Sequence, residues 1–245
     1  MNLAKPRIDI GFATNDAPAA LAFWQHEIGL PFDHTQPIRR GYKQHRHDLC
    51  GSILKINQVY EPLPDNPPSG YRELLIARND LIAPQPMADP EGNRVVLVPK
   101  GMYGIQRIGI CLGVRDVEAH RRFYTQALGL KEGEPAGTDG ALTFLAGDTV
   151  LIVEPTADAP NDAAFEGKGW RYITFQVFEV DREHAHVLAH GGREARAPVT
   201  LGTTARISMV RDPDGNWIEL SQRASLTGSL EPVASTHRTS TEGEA

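Results

Sequence analysis

The stretch HRHD places His45 and His47 two positions apart, with Asp48 directly after them. Side chains two positions apart lie on the same face of a β-strand. Imidazole nitrogens combined with carboxylate oxygens form a ligand set that suits first-row divalent metal ions. The pattern makes metal binding one hypothesis; the alternative is a solvated hairpin, because HRHD ends the charged stretch RRGYKQHRHD.

The two cysteines, Cys50 and Cys111, do not occur in a CxxC or other metal-ligand spacing. A zinc knuckle or a disulfide framework is therefore disfavoured, and a reducing, cytoplasmic setting is expected. The N-terminal segment lacks the pattern of a signal peptide, and no apolar run approaches the roughly 18 residues of a membrane span. We expect no membrane association.

Size and charge narrow the class of partner. The 245 residues are 40% hydrophobic and 23% charged, which is typical of one large globular domain or two small ones. The net charge is -6, and no basic patch is dense enough to neutralise a row of phosphates. Nucleic acid is therefore disfavoured, and the expected partner is a small neutral or mildly charged molecule.

The chain repeats itself at a displacement of 100 positions. The aligned pairs include Asp16 with Asp116, Phe23 with Phe123 and Gly29 with Gly129. Each copy changes at its aspartate from an alternating apolar pattern to a helical one, which ends at its glycine. We therefore expect a strand, a capped helix and a glycine stop in both halves.

Further matching segments follow in the same order. GYRELLIA, from Gly70, matches GWRYITFQ, from Gly169, and the turns DPEGN and DPDGN follow them. The second copy is longer here and contains DREHAHVLAHGG, which predicts a helix that ends at Gly191. The first half should therefore lack this helix and one strand. Residues 224–245 are polar and without periodicity, which predicts a disordered tail.

These features resemble the vicinal oxygen chelate (VOC) superfamily, which includes glyoxalase I, extradiol dioxygenases and bleomycin resistance proteins. The resemblance is carried by the helix with Asp116, Phe123 and Tyr124, by the strand ending at Val177, and by DPDGNWIEL. It covers residues 6–223 and implies an α+β fold. Two tandem glyoxalase-like domains, 5–100 and 103–223, would be built from paired βαβββ modules that form open cupped sheets, the first half with a shortened second module.

The resemblance also implies where a metal ion would bind. Members that use a metal carry one ligand on the first and one on the last strand of each module, and the ion polarises substrate oxygens. The corresponding positions of the second half are Gly109, Leu151, Tyr172 and Glu219. One carboxylate and one phenol are an incomplete set. The cofactor is therefore open, with a divalent ion (Fe, Mn, Zn or Ni) as the alternative that the family favours.

The same positions in the first half are Asp9, Leu54 (or Lys55 if the register slips by one), Glu73 and Val96. Asp9 and Glu73 would face each other across one cup, where desolvation and mutual repulsion would raise one pKa toward neutrality. With His45 and His47 they would complete an improvised metal site. The alternative is that both carboxylates form surface ion pairs with neighbouring arginines.

Aromatic residues supply candidate ligand contacts. Trp170 and Trp217 would suit a flat apolar ligand on the cup wall, with core packing as the alternative. Leu151 and Gly109 occupy positions that the family would turn toward a ligand. Tyr172 is either a packed core residue or a phenol donor in the cup.

Two functional hypotheses follow from the resemblance. The first is an enzyme that acts on a small oxygenated metabolite by isomerase, lyase or ring-cleavage chemistry. An aromatic metabolite is one version of this hypothesis. Its candidate acid, base or ligand groups are Glu219, Tyr172, Glu73 and Asp9, and its candidate metal ligands are Glu219, His45 and His47. The alternative is a non-catalytic protein that sequesters a small molecule. A third possibility is that only the second cup works, and a homodimer is the favoured assembly.

Overall fold

The computed structural model describes residues 1–137 and 139–230, which form fifteen strands in two sheets. The strands are β1 (Leu3–Thr14), β2 (Phe32–Arg39), β3 (Tyr42–Leu49), β4 (Ser52–Val59), β5 (Tyr71–Arg78), β6 (Gln85–Ala88), β7 (Arg94–Pro99), β8 (Ile108–Val114), β9 (Lys131–Glu132), β10 (Leu142–Ala146), β11 (Thr149–Pro155), β12 (Trp170–Val177), β13 (Arg193–Leu201), β14 (Ala205–Arg211) and β15 (Trp217–Arg223). The helices are α1 (Ala17–Ala22), α2 (Val117–Arg122), α3 (Val180–Ala189) and α4 (Ala224–Thr227).

Short helical turns complete these elements. Helices α1 and α2 each continue as a π-helical turn, over Phe23–Glu27 and Phe123–Ala127, and a 3-10 turn covers Met102–Gly104. None of the described helices is both long and apolar enough to cross a bilayer. The tail expected to be disordered from residue 224 begins with α4, and residues 231–245 lie outside the described residues.

Each sheet combines modules from the two halves of the chain. The eight-stranded sheet has the order β13-β14-β15-β12-β1-β4-β3-β2, and the seven-stranded sheet has the order β6-β7-β5-β8-β11-β10-β9. The first module therefore pairs with the fourth through antiparallel β1 and β12, and the second pairs with the third through β5 and β8. The α+β fold of cupped βαβββ sheets is confirmed, and so is the shortened second module, which contributes only three strands.

The pairing differs from the expectation that the two modules of one half share a cup. The connection between β7 and β8, residues 100–107, is short and keeps the second and third modules in one sheet. Residues 60–70 and 156–169 are longer and carry the chain from one sheet to the other. The shortest of these connections thus joins strands of one sheet, as is usual for consecutive elements. The repeat boundaries 5–100 and 103–223 stay a prediction, but neither repeat closes a cup by itself.

Arg171 fixes the two long connections to each other. It is 1% exposed, and its guanidinium donates to the backbone carbonyls of Pro67 (2.8 Å) and Ala164 (3.2 Å). Further bonds reach the carbonyls of Asn66 and Lys168. Because a planar guanidinium carries five donors, one side chain can satisfy several loop carbonyls. The two segments therefore form one wall at the mouth of the eight-stranded cup.

The predicted helix starts and stops are present in both halves. Asp16 accepts a hydrogen bond from the Ala19 amide at 3.1 Å, and Asp116 accepts one from the Ala119 amide at 2.9 Å. These bonds satisfy amides that a helix start leaves free. Gly29 and Gly129 have φ of 78° and 64°, a left-handed conformation that glycine adopts without strain.

The repeated DPxGN motif forms a turn closed by its own aspartate. Asp212 accepts hydrogen bonds from the Asn216 amide (2.8 Å) and side chain (2.9 Å), and Asp89 binds Asn93 in the same way (2.9 and 2.8 Å). Each aspartate is also next to a helix side chain: Asp89 accepts from Trp24 Nε1 at 3.2 Å, and Asp212 lies 3.4 Å from His120 Nε2. The motif is therefore a buried junction between turn and helix.

The apolar core lies on the helix-covered faces of the sheets. In β1, Ile8, Ile10 and Phe12 are fully buried in this core. Asp9 and Gly11 alternate with them and turn to the opposite, concave face, as the pleat requires. This alternation decides which residues of β1 can contact a ligand.

Candidate functional site

The concave face of the eight-stranded sheet encloses a cavity of about 620 Å³. Its floor comes from the central strands, and Ile207 and Met209 of β14 give it an apolar side. The polar floor residues are Gln44 and Arg46 of β3, Lys55 and Asn57 of β4, Tyr172 of β12, and Glu219 of β15. Phe165, from the 156–169 connection, packs on the rings of Tyr172 and Trp217 at 5.4 and 5.0 Å between centroids. The volume is within the usual range of small-molecule sites.

A buried ion pair occupies the centre of this floor. Lys55 Nζ lies 2.8 Å from Glu219 Oε2 and 2.7 Å from Thr174 Oγ1, and the Thr174 hydroxyl donates to the same Glu219 oxygen at 3.0 Å. Lys55 is 3% exposed and Glu219 is 9% exposed. Burial lowers the pKa of Lys55 below its usual value, although the charges of Glu219 and Asp9 oppose that shift. Buried ammonium groups need such a partner.

This pair retains free hydrogen-bonding capacity toward the cavity. Both bonds to Glu219 fall on Oε2, and Oε1 accepts no hydrogen bond from the described residues. An ammonium group has three donors, of which Lys55 uses two within the described part of the chain. One carboxylate oxygen and one N–H are therefore available to a ligand.

Tyr172 adds a neutral donor beside the pair. Its hydroxyl oxygen accepts from Asn57 Nδ2 at 3.2 Å and from Gln44 Nε2 at 3.4 Å, so its own proton is free to be donated. Burial, with Glu219 adding to it, raises the pKa of Tyr172 well above its usual value. Its ring lies 2.5 Å from where a Cβ on Gly11 would be, so glycine at that position leaves it room.

Asp9 lies on the same face, but both oxygens of its carboxylate already accept hydrogen bonds from the protein. Its carboxylate accepts from Lys5 Nζ (2.7 Å), the Ile53 amide (2.8 Å) and Gln176 Nε2 (3.0 Å). Burial alone would raise the pKa of Asp9, but the positive charges of Lys5 and Lys55 and these hydrogen bonds lower it below its usual value. Asp9 is therefore a fixed anion that supports Lys55 from the side of β1.

Apolar side chains fill the concave face of the seven-stranded sheet in the part of the chain that the structure describes. They include Leu75, Val96, Ile105 and Ile152, which form part of a second apolar cluster. Ile105 packs over Gly109, and its Cδ1 lies 2.6 Å from the point where a Cβ added to Gly109 would be. Side chains of this chain thus occupy the space that a ligand would need.

Comparison with known proteins agrees with this architecture. The profile of the family described as "Glyoxalase/Bleomycin resistance protein/Dioxygenase superfamily" matches residues 104–220. A curated protein of Vibrio cholerae serotype O1 with the name "Probable lactoylglutathione lyase" is 31% identical over 127 residues, which cover 49% of this chain and 92% of the relative. The chain belongs to this superfamily.

Solved structures of the superfamily show the same fold. Glyoxalase I from Zea mays matches with a TM-score of 0.74 and 16% identity, over 91% of this chain and 95% of the maize chain. A putative dioxygenase from Bacillus subtilis matches with a TM-score of 0.68 and 12% identity, over 91% and 85%. At these identities the likeness concerns the fold alone. The sequence prediction of the superfamily is confirmed, and the name of the curated relative agrees with the expected lyase type; compartment and homodimer stay predictions.

The exchange of modules changes which of the expected ligand positions share the eight-stranded cup. Asp9, Lys55 and Glu219 lie there around Thr174, which strand register places opposite Asp9 and beside Glu219, whereas the expected position on β12 was that of Tyr172. A protonated lysine has no lone pair for a metal ion. No group of three or more His, Cys, Asp or Glu residues within the described ranges could hold one. This donor set does not fit a divalent ion, and Lys55 supplies positive charge in its place.

Several predicted site residues lie elsewhere. Glu73 belongs to the seven-stranded sheet, where it pairs with exposed Arg94 at 2.6 Å, so it does not face Asp9. Gly109 lies on that sheet too, and Leu151 is in the core. Asp9, Tyr172 and Glu219 all lie on the concave face of the eight-stranded sheet, and Tyr172 and Glu219 line its main cavity. Asp9 and Glu73 lie in different sheets because the first module pairs with the fourth and the second module pairs with the third.

His45 and His47 point away from the cup, because Gln44 and Arg46 of the same strand line it. Thr35 Oγ1 lies 2.8 Å from His45 Nδ1, and Gln25 Nε2 lies 3.0 Å from His47 Nε2. The two histidines therefore cannot join Asp9, Glu73 or Glu219 in a metal site. The expectation from HRHD was correct about the shared strand face and wrong about which face it is.

Burial of His47 makes a testable contribution to acid stability. Burial and repulsion from His45 lower the pKa of His47 from 6.5 to about 4. The folded state therefore keeps the ring neutral, while the unfolded chain binds a proton, so this contribution is complete above about pH 6.5 and is lost as the pH falls toward 4. Urea unfolding between pH 7 and pH 4 should show the decline, and His47→Gln should reduce it. Exposed His26→Gln is the control; equal slopes for the two variants would contradict the assignment.

The tryptophans divide between core and cup. Trp170 is 2% exposed and packs against Phe12 and Trp24 in the main core, so its predicted ligand contact is wrong. Trp217 lies at the edge of the cup, where its Nε1 donates to the Ala163 carbonyl at 2.7 Å and its ring lies 4.4 Å from the Arg211 guanidinium. Trp217 thus shapes the wall through Phe165.

Sequence reasoning missed Thr174, Arg46 and Arg223 and kept Lys55 only as the alternative to Leu54. Leu54 is fully buried in the core, and Lys55 faces the cup. The alternation in SILKINQV, with Lys55 and Asn57 two positions apart, could have indicated a polar cup face. A one-residue difference in register exchanges the two faces of a strand.

Proposed function

We propose that this protein is a lyase- or isomerase-type enzyme that transfers a proton at the carbon next to a carbonyl group of a small oxygenated metabolite. The proposal rests on the buried pair of Lys55 and Glu219, which keeps a free carboxylate oxygen and a free N–H directed at one cavity. The proposed site is the cup of the eight-stranded sheet. No step is assigned to a metal ion, because the donor set does not suit one.

Glu219 is the proposed base. Its Oε2 is held by Lys55 and Thr174, which fixes the carboxylate in the cavity wall. Its Oε1 is free to accept a proton from a substrate carbon. The same oxygen can return that proton to a neighbouring carbon in an isomerisation, or the carbanion can expel a leaving group in a lyase reaction.

Lys55 and Tyr172 are the proposed stabilisers of the substrate oxygen. Removal of the proton moves negative charge onto the carbonyl oxygen, and donors placed there in advance stabilise that charge strongly in a site with little water. The remaining N–H of Lys55 and the phenol proton of Tyr172 are two donors on this face beside Glu219. Tyr172 remains protonated across the physiological range because its pKa is raised.

The name of the Vibrio cholerae relative supports the lyase type, and the superfamily resemblance supports a small oxygenated substrate. Ring cleavage with dioxygen is not proposed, because it needs a redox metal that Asp9, Lys55, Thr174 and Glu219 do not suit. A sequestering protein would need the cavity but not the free base of Glu219.

Proton exchange tests the proposal directly. Protein treated with EDTA and then dialysed is incubated in D2O with a panel of small ketones, hydroxy ketones and oxo acids, and loss of the proton signal next to the carbonyl is followed by NMR. We expect exchange of one proton in at least one compound, at the same rate with and without EDTA. Exchange that requires an added divalent ion would contradict the proposal, and saturable binding without exchange across the panel would identify a sequestering protein.

A further inference from the structure

The cavity of the eight-stranded cup carries more positive than negative charge. Five cationic side chains and two carboxylates line it, although the whole chain has a net charge of -6. Lys55 pairs with Glu219, and Arg39 pairs with Glu166. Arg46, Arg196 and Arg223 form no ion pair within the part of the chain that the structure describes. A charge excess in an enclosed site favours an anionic ligand.

Arg46 is the most buried of these unpaired cations. It is 4% exposed, and its Nη1 donates to Gln44 Oε1 at 2.7 Å. Its Nε is buried without a hydrogen-bond partner in the described chain. A buried charge with an unsatisfied N–H is costly unless a ligand completes its bonding. Because Arg46 lines the cavity, such a ligand would reach it from the cup.

Arg223 lies close to Arg46 at the same end of the cup. Both line the main cavity and a smaller adjoining one. Burial lowers the pKa of Arg223 and the charge of Arg46 lowers it further, against the opposing effect of Glu219 and Asp9. Two guanidinium groups that repel each other form a site for an oxyanion, which both can bind through paired N–H groups.

We propose that Arg46 and Arg223 bind the carboxylate of an oxo acid substrate whose carbonyl group lies at Lys55 and Glu219. The position of that carbonyl rests on the proposed function. Arg46 is the cross-strand neighbour of Lys55. Opposed Cα atoms of antiparallel strands lie about 4.5–5.5 Å apart. Arg46 and Lys55 therefore start side by side on the cup face, which favours a substrate whose carboxylate is close to its carbonyl group, as in 2-oxo and 3-oxo acids.

The rest of the cavity suits the remainder of such a substrate. Ile207 and Met209 provide an apolar wall beyond Glu219, and Phe165 closes the mouth. Specificity would then have two parts. The arginines select the charged end, and the apolar wall accepts a short carbon chain.

Calorimetric titration of the full-length protein tests the proposal without requiring turnover. Pyruvate and acetoacetate are the 2-oxo and 3-oxo probes, their methyl esters are the neutral counterparts, and inorganic phosphate is the third anion. We expect at least one acid to bind at least tenfold more tightly than its ester. Arg46→Met and Arg223→Met should each weaken that binding at least tenfold, whereas Arg182→Met on the surface of α3 should leave it unchanged.

Further variants separate binding from folding. Arg46→Lys keeps the charge but loses the planar pair of donors, so it should bind the acid with intermediate affinity, and urea unfolding checks every variant. Equal affinity for acid and ester, wild-type affinity in both arginine variants, or binding of phosphate alone would overturn the proposal. Binding of the acid through Arg46 without proton exchange would support the anion site and refute the proposed function. Proton exchange of neutral ketones without selection for acids would support the proposed function and refute the anion site.

Discussion

A Lys55→Met variant should be less stable than the wild-type protein by about 3–5 kcal/mol, because it leaves the carboxylate of Glu219 buried without its counter-charge. Lys55 is 3% exposed, and its Nζ lies 2.8 Å from Glu219 Oε2. Thr174 can still donate to that carboxylate but supplies no charge. Urea unfolding at pH 7 measures the difference in the free energy of unfolding.

The double variant Lys55→Met with Glu219→Leu distinguishes a functional pair from a structural one. Replacing both charges by apolar side chains removes the desolvation cost together with the attraction, so stability should return to the wild-type value or exceed it. Arg94→Met, which breaks the half-exposed pair with Glu73, is the matched control and should cost less than about 1 kcal/mol. A double variant as unstable as the sum of the two single variants would contradict this account. A stable but inactive double variant would show that the pair is retained for function.

Glu219→Gln should lower the proton-exchange rate at least hundredfold, because an amide cannot accept the proton that Glu219 Oε1 is proposed to take; general bases contribute about 10²–10⁴-fold. The amide oxygen can still accept from Lys55 and Thr174, so the geometry of the floor should persist. Exchange rates are compared in D2O by NMR with a compound that the wild-type protein exchanges. Circular dichroism and urea unfolding establish the folded fraction of each sample.

Glu73→Gln is the matched control for this experiment. Glu73 occupies the position in the second module that corresponds to Tyr172 in the fourth, but it lies on the sheet whose concave face is filled by Leu75, Val96 and Ile152. Its replacement should leave the exchange rate unchanged. Loss of exchange in Glu73→Gln, or wild-type exchange in Glu219→Gln, would show that the working cup has been wrongly assigned.

The two DPxGN turns lead to different residues on the concave faces of the two sheets. Both motifs close the same turn through Asp89 and Asp212, and both lead into the last strand of a module. The residue that follows at the cup face is Val96 in one copy and Glu219 in the other. The sequence thus predicted the carboxylate on the final strand correctly, because turn and strand are both local features.

The partners of Glu219 could not be predicted in the same way. Lys55 is far from Glu219 in sequence and reaches it across β1, where Gly11 has no side chain and Thr174 lies beyond. The alternation in β4 indicates that Leu54 and Lys55 lie on opposite faces, but which distant side chains Lys55 meets depends on the pairing of β4 with β1. The predicted metal site with His45 and His47 was wrong for a related reason. The pairing of β3 places Arg46, and not His47, on the face that lines the cup.

The sequence by itself determined the modules: two copies of strand, capped helix and glycine stop, a DPxGN turn in each, and a shortened second module. These features depend on backbone demands within a few residues, such as an aspartate at a helix start or a glycine with positive φ. Only the tertiary structure decided that the first module pairs with the fourth, and therefore that Asp9, Lys55, Thr174 and Glu219 share one cup while Glu73 lies in another. That choice depends on packing between strands that are far apart in the sequence, which no local pattern encodes.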